Sequence, residues 1–242
     1  MKAPTCIVIS ALIGCGGDAG GGDMVDAAIS ADSSQQVDAA IDAASVDLTT
    51  DDFERPTLGP NWMVIYPPPP NTQVQVVGGD VGMGPGPEGF FLINRVMPVF
   101  GADQFCEATI PTDATPGWIY QVYVRWRASD RARYGFGYNG DPNQASTGNW
   151  IFKYDGVPSV QTRVFAMAPA SAIPQPGDRL RLEIIGYTLR GYWNDALVLQ
   201  ATDTDASKIA GGVPGLAARW ATGNQQTTIT AKVWEAWSGG SL

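Results

Sequence analysis

The chain reads as all-β, a sandwich or barrel preceded by an unstructured tether. Three observations point there. Beyond about residue 50, short stretches alternate apolar and polar residues and are punctuated by turn residues. Runs with a 3.6-residue apolar period are scarce. The same region is dense in Thr, Val, Tyr and Trp, which suit a half-buried pleated surface, and in Gly and Pro, which interrupt it.

The first element is an apolar run behind one lysine, Lys2, spanning Cys6-Ile7-Val8-Ile9-Ser10-Ala11-Leu12-Ile13. It has the length of a signal-peptide core and is too short to span a bilayer. Its ending, Leu12-Ile13-Gly14-Cys15, resembles the lipobox of bacterial lipoproteins. That resemblance implies a signal peptide over 1–14, cleavage before Cys15 and lipidation of Cys15. The expected address is extracytoplasmic, with a lipid anchor in the bacterial envelope, at the outer membrane or cell surface rather than the inner membrane. Acyl chains contribute about 0.8 kcal/mol per buried methylene, enough in number to anchor the protein durably.

Residues 15–50 read as a disordered tether. Gly16-Gly17-Asp18-Ala19-Gly20-Gly21-Gly22-Asp23 leads into Asp-Ala repeats, with no aromatic residue and no basic residue between Lys2 and Arg55. Such a segment buries too little apolar surface to offset its ordering entropy, and its like charges repel. Seven of the 24 acidic residues lie here, leaving 17 against 14 basic ones from residue 51 onward. The folded part is near neutral, which argues against nucleic acid as a partner.

Residues 51–242 suit one domain with a sizeable core. Strands are expected at 90–97, 104–110, 119–127, 133–138, 150–154, 161–167, 179–185, 188–193, 196–201, 215–220 and 227–234, and Pro67–Pro70 as an extended loop. Alternation assigns faces. Tyr120, Val122, Val124 and Trp126 share one side, against Gln121, Tyr123, Arg125 and Arg127. Leu180, Leu182 and Ile184 oppose Arg179, Arg181 and Glu183. Ile229, Ala231 and Val233 oppose Thr228, Thr230, Lys232 and Trp234. Asn194-Asp195 reads as a two-residue type I′ hairpin turn.

Asp51-Asp52-Phe53-Glu54-Arg55 with Leu58-Gly59-Pro60-Asn61-Trp62 looks like the opening strand of concanavalin A-like, laminin-G-like bacterial jelly rolls. Gly177–Glu183 with Thr188–Tyr192 is similar to a hairpin of that group, and Gly212-Val213-Pro214-Gly215-Leu216-Ala217 to its penultimate strand. The resemblance implies a two-sheet antiparallel jelly-roll sandwich over 51–242. It also implies a structural calcium ion where first and last strands meet, for which Asp52 and Glu235 are the candidate metal ligands. Two departures stand out. Trp234-Glu235-Ala236-Trp237 replaces the group's usual late aspartate, and the Glu-x-Asp-x-x-Glu strand of its glycanases is missing.

The chain has no histidine, so Ser-His-Asp and Cys-His catalysis and His-ligated zinc are excluded. Cys106, alone in the folded part, reads as a buried small hydrophobe. Carboxylate pairs remain the conventional catalytic option, with Glu107, Glu183 and Glu235 as candidates; the alternative for Glu183 is neutralisation of neighbouring arginines. Asp203 and Asp205 read as turn caps. Eight Trp and eight Tyr suggest rings that stack on sugars, with Arg and Asn bonding hydroxyls. Tyr123, Arg125, Arg127, Tyr138 and Trp150 are the candidate ligand contacts. Of the triplets Tyr134/Phe136/Tyr138 and Trp150/Phe152/Tyr154, at least one must be core. The leading expectation is a non-catalytic, lectin-like domain binding a glycan or envelope component. A polysaccharide hydrolase or lyase using carboxylate or Tyr/Arg groups, and an adhesive module without a small ligand, are the alternatives.

Overall fold

The computed structural model describes residues 47–66, 74–84, 90–96, 98–114, 118–139, 148–156, 162–168, 174–220 and 231–242. All belong to the unit Asp42–Leu242. The signal segment, Cys15, the tether up to residue 46 and Pro67–Pro70 lie outside the described residues.

In chain order the strands are β1 (Asp47–Asp51), β2 (Trp62–Tyr66), β3 (Val74–Val77), β4 (Asp80–Met83), β5 (Phe90–Arg95), β6 (Gln104–Thr109), β7 (Trp118–Trp126) and β8 (Arg133–Asn139). There follow β9 (Gly148–Tyr154), β10 (Thr162–Ala168), β11 (Arg179–Ile185), β12 (Thr188–Trp193), β13 (Ala196–Thr202), β14 (Val213–Trp220), β15 (Ala231–Trp234) and β16 (Ala236–Ser241). They form a six-stranded sheet, β1-β16-β6-β11-β12-β13, and a seven-stranded sheet, β10-β9-β8-β7-β14-β5-β2. A three-stranded sheet, β15-β4-β3, adds to them. The result is the expected all-β antiparallel sandwich. Pairing starts at Asp47, inside the segment read from sequence as tether.

The core lies where apolar strand faces meet. Cys106, Ala108, Leu180, Leu182, Ile184 and Leu189 come from the six-stranded sheet. Phe91, Ile93, Tyr120, Val122, Val124, Tyr134, Phe136, Ile151, Leu216 and Ala218 come from the seven-stranded one. Cys106 is fully buried; burial pushes its thiol up to about 12. The Trp237 indole donates to its sulfur at 3.2 Å, which fits the structural role expected for it. Asn194 and Asp195 both adopt positive φ, 49° and 65°, as a type I′ turn requires.

Two strands break the alternation expected of them. In β7, Arg125 takes φ 53°, and the register against β14 slips between Val213 and Gly215. This bulge sends Trp126 to the outer cluster with Leu92, Tyr123 and Ala217 instead of to the core. In β15 the register slips between Lys232 and Trp234. Trp234, expected on the wet side, is therefore fully buried and packs edge-on against Tyr120 at 5.3 Å.

The opening motif forms a clamp between the two large sheets. Asp51, in the six-stranded sheet, accepts from Trp62 Nε1 at 2.7 Å and Arg95 Nη1 at 2.9 Å, both in the seven-stranded sheet. Arg55 adds bonds at 2.6 and 3.0 Å, and the Phe53 N–H one at 3.0 Å. The Arg95 guanidinium also lies over the rings of Trp62 and Trp237, at 5.5 and 5.4 Å.

Burial works to raise the Asp51 carboxyl, but hydrogen bonds from Arg55, Trp62 and Phe53 outweigh it and hold the pKa below its ordinary value. A folded-state pKa below the unfolded one contributes stability that is present above about pH 4 and lost as pH falls through the folded value. Asp51→Asn removes the negative charge that faces two guanidinium groups and should cost about 3 kcal/mol of unfolding free energy at neutral pH. Denaturant titrations of both proteins across acid pH check this: the variant should also show a shallower acid-side decline.

Candidate functional site

The outer face of the seven-stranded sheet is paved with rings lying across glycines. The strand registers place Met63, Asn94, Gly215, Tyr123, Gly135, Phe152 and Val164 in one row from β2 to β10. The adjacent row holds Leu92, Ala217, Gln121, Gly137, Trp150 and Met167. A Cβ on Gly135 would lie 2.2 Å from the Phe152 ring, and one on Gly215 would lie 2.4 Å from the Tyr123 hydroxyl. Glycine at these positions lets both rings lie flat. The Trp150 and Phe152 rings sit 4.5 Å apart, and the flanking Val164 and Met167 of β10 are 44% and 38% exposed.

Arg133 belongs to the same face, opposite Tyr154. Its guanidinium lies 4.4 Å from the Tyr154 ring and 5.9 Å from the Tyr123 ring, and Nη1 donates to the Arg131 carbonyl at 3.1 Å. Burial pulls its pKa below the ordinary arginine value. Among the described residues no carboxylate pairs with it. The seven strands of this sheet contain no aspartate or glutamate at all.

The five sequence-predicted contacts do not form one constellation. Tyr123 and Trp150 do share this face. Tyr123, expected to be exposed, is buried against the sheet, its hydroxyl donating to Ile93 O and meeting Asn94 Oδ1. Arg125 is buried too. The bulge aims it at the loops, where it donates to Ala102 O (2.7 Å), Gly186 O (2.6 Å) and Ile209 O (2.9 Å). Arg127 closes its own turn on Asp130. Tyr138 follows Tyr134 and Phe136 onto the inner face, so that triplet is the core one. Alternation identifies a side of a sheet, but it does not say whether long side chains on that side stand up into water or lie down.

The carboxylates are elsewhere and mostly engaged. Glu183 accepts from Arg181 at 2.6 and 2.9 Å and from Tyr192 at 3.0 Å; Glu107 faces Arg179 and Arg181 at 3.5 and 3.9 Å. A cleft of about 600 Å³ over the Asp51 clamp is lined by Asp51, Asp52, Arg55, Glu107, Arg179 and Ser238, among others. A glycoside-cleaving acid must be held protonated, whereas Asp51 is shifted the other way.

Asp52, the first candidate calcium ligand, accepts the Glu54 N–H at 3.1 Å, and Glu235 is exposed between β15 and β16. No group of three or more acidic, cysteine or histidine residues among the described ones is placed to hold a metal ion.

Sequence reasoning missed Lys153. It is buried at an inward position of β9, with Asp155, Asp203 and Asp205 at 3.4, 3.4 and 3.5 Å and Ser207 Oγ at 3.0 Å. Asp203 also accepts from the Tyr134 hydroxyl and from the Asp205 N–H at 2.8 Å, the turn cap expected of it. A lysine on the apolar side of an alternating strand was the available signal, because such a charge requires buried partners.

No family model matches the chain, and no curated protein is similar to it in sequence. Its structure does resemble solved ones. A pseudo β-1,3-glucanase and immunostimulatory antigen of Mycobacterium tuberculosis superposes with a TM-score of 0.55 at 12% identity, covering 79% of this chain and 97% of that one. A β-1,3-glucanase from Mycobacterium marinum gives 0.52 at 12% identity, over 79% and 97%. The carbohydrate-binding module CBM66 from Bacillus subtilis gives 0.47 at 18%, over 76% and 92%. At these identities the likeness concerns the fold, which is that of the concanavalin A-like jelly rolls.

Proposed function

We propose that the domain is a non-catalytic glycan-binding module whose contact surface is the outer face of the seven-stranded sheet around Trp150. One observation carries the reading: that face carries the part-exposed rings of Trp150 and Tyr154 beside the buried rings of Tyr123 and Phe152, yet none of its seven strands supplies an aspartate or glutamate. Flat rings and an arginine suit sugar faces, while hydrolysis of a glycosidic bond requires two carboxyl groups across it. The structural neighbours with TM-scores above 0.5 include a pseudo β-1,3-glucanase and a β-1,3-glucanase, in keeping with a carbohydrate ligand. Trp150→Ala should weaken binding to a cognate oligosaccharide roughly tenfold in calorimetry, with no change in melting behaviour beyond that of one ring. The wild type should release no reducing ends from that glycan. Release abolished by Glu107→Gln or Glu183→Gln would replace this reading with the hydrolase.

We further propose that Cys15 carries the lipid that holds the domain at the envelope, the Gly/Asp/Ala-rich segment giving it reach. Expressed in a bacterium fed labelled palmitate, the full chain should incorporate label and sediment with membranes. Cys15→Ala should do neither; an unchanged label would remove Cys15 from the account.

A further inference from the structure

Arg133 is a cation whose only described partners are a carbonyl and two rings. Burying a guanidinium is costly unless an anion accompanies it, and cation–π contacts offset only part of that cost. Several other cations of the same sheet face carboxylates: Arg95 faces Asp51, Lys153 three aspartates, and Arg163 Asp155 and Asp205 at 3.0 and 2.7 Å, while the buried Arg125 bonds three carbonyls and has Asp103 at 3.5 Å. Arg133 differs from them. It is held half-buried between Tyr154 and Tyr123, on the face that carries Phe152 and Trp150, with the Arg131 carbonyl engaging only Nη1. Nε and Nη2 remain without a described acceptor.

We infer that the glycan recognised by this face is anionic, and that Arg133 is the residue that selects it by bonding a carboxylate or sulfate on a sugar whose ring lies against the aromatic side chains. The inference rests on the glycan-binding reading proposed above. Charge complementarity supports it, because the strands of this sheet supply Arg133 and no acidic residue. The ligand's charge would supply the counter-ion that the described residues do not, through charge-assisted hydrogen bonds stronger than those to a neutral hydroxyl.

Three probes test it by calorimetry on the full chain: an oligogalacturonate for carboxylate, a sulfated galactan oligosaccharide for sulfate, and a laminari-oligosaccharide as neutral control. One of the anionic probes should bind about tenfold more tightly than the neutral one at low salt. That advantage should shrink at high salt. Arg133→Gln should abolish the preference while Arg133→Lys retains part of it. The salt dependence of the wild type decides the matter if the glutamine variant does not fold. Neutral binding equal to anionic binding, or a preference that survives Arg133→Gln, overturns the selectivity and leaves the glycan-binding reading standing. Failure of all three probes to bind counts against that reading and takes this inference with it.

Discussion

Asp51 adds a polar tie between the two large sheets to the apolar core they share. Its carboxylate sits on an edge strand of the six-stranded sheet and takes donors from Trp62 and Arg95 of the seven-stranded sheet. The positive φ of Phe53, 55°, turns the chain so that Arg55 comes back onto the same carboxylate. Around it Phe53, Trp62 and Trp237 pack ring against ring at 5.5 and 5.2 Å. The charge is affordable only because every partner is in place, and so the positions of β1, β2, β5 and β16 depend on one another. With those strands held, the seven-stranded sheet keeps the register that lays its outer rings flat.

That face and the opposite sheet divide the chemistry between them. On the six-stranded sheet, acids and arginines occur together and neutralise each other, as Glu183 does with Arg181. On the seven-stranded sheet the acids are missing from the strands, and Lys153 borrows its counter-ions from Asp155 and the loop at Asp203–Asp205. Among the described residues, that face combines rings with a cation, and its strands supply no carboxylate.

Much of this was legible in the residues. Arg179–Ile185 and Thr188–Trp193 occur with the bounds their alternation indicates, because each has one apolar side and a turn the residues demand. The short strands β2, β3, β4 and β16 went unread. Ala236–Ser241, with two glycines and two serines, looks like a loop; it is a strand because Trp237 lies over Gly239, whose Cβ would come within 2.3 Å of the indole. Arg125 and Trp234 were misassigned for a different reason: a bulge reverses parity downstream of itself, and no composition rule marks where a non-glycine residue will accept positive φ. For the candidate site, the aromatic supply and the missing catalytic motif were visible in sequence. The flattening of Tyr123 and the isolation of Arg133 were not, since both depend on which strands become neighbours.

The proposed ligand contact lies on the ring-paved face of the seven-stranded sheet. Amide, indole and guanidinium ¹⁵N spectra recorded during titration with a bound oligosaccharide test it directly. The account predicts that the Trp150 indole and the Arg133 Nε resonances move together, with Tyr154 and Val164 amides following. Shifts confined to Asn61, Arg179 and Ser238 around the cleft over Asp51, with Trp150 unmoved, would contradict it.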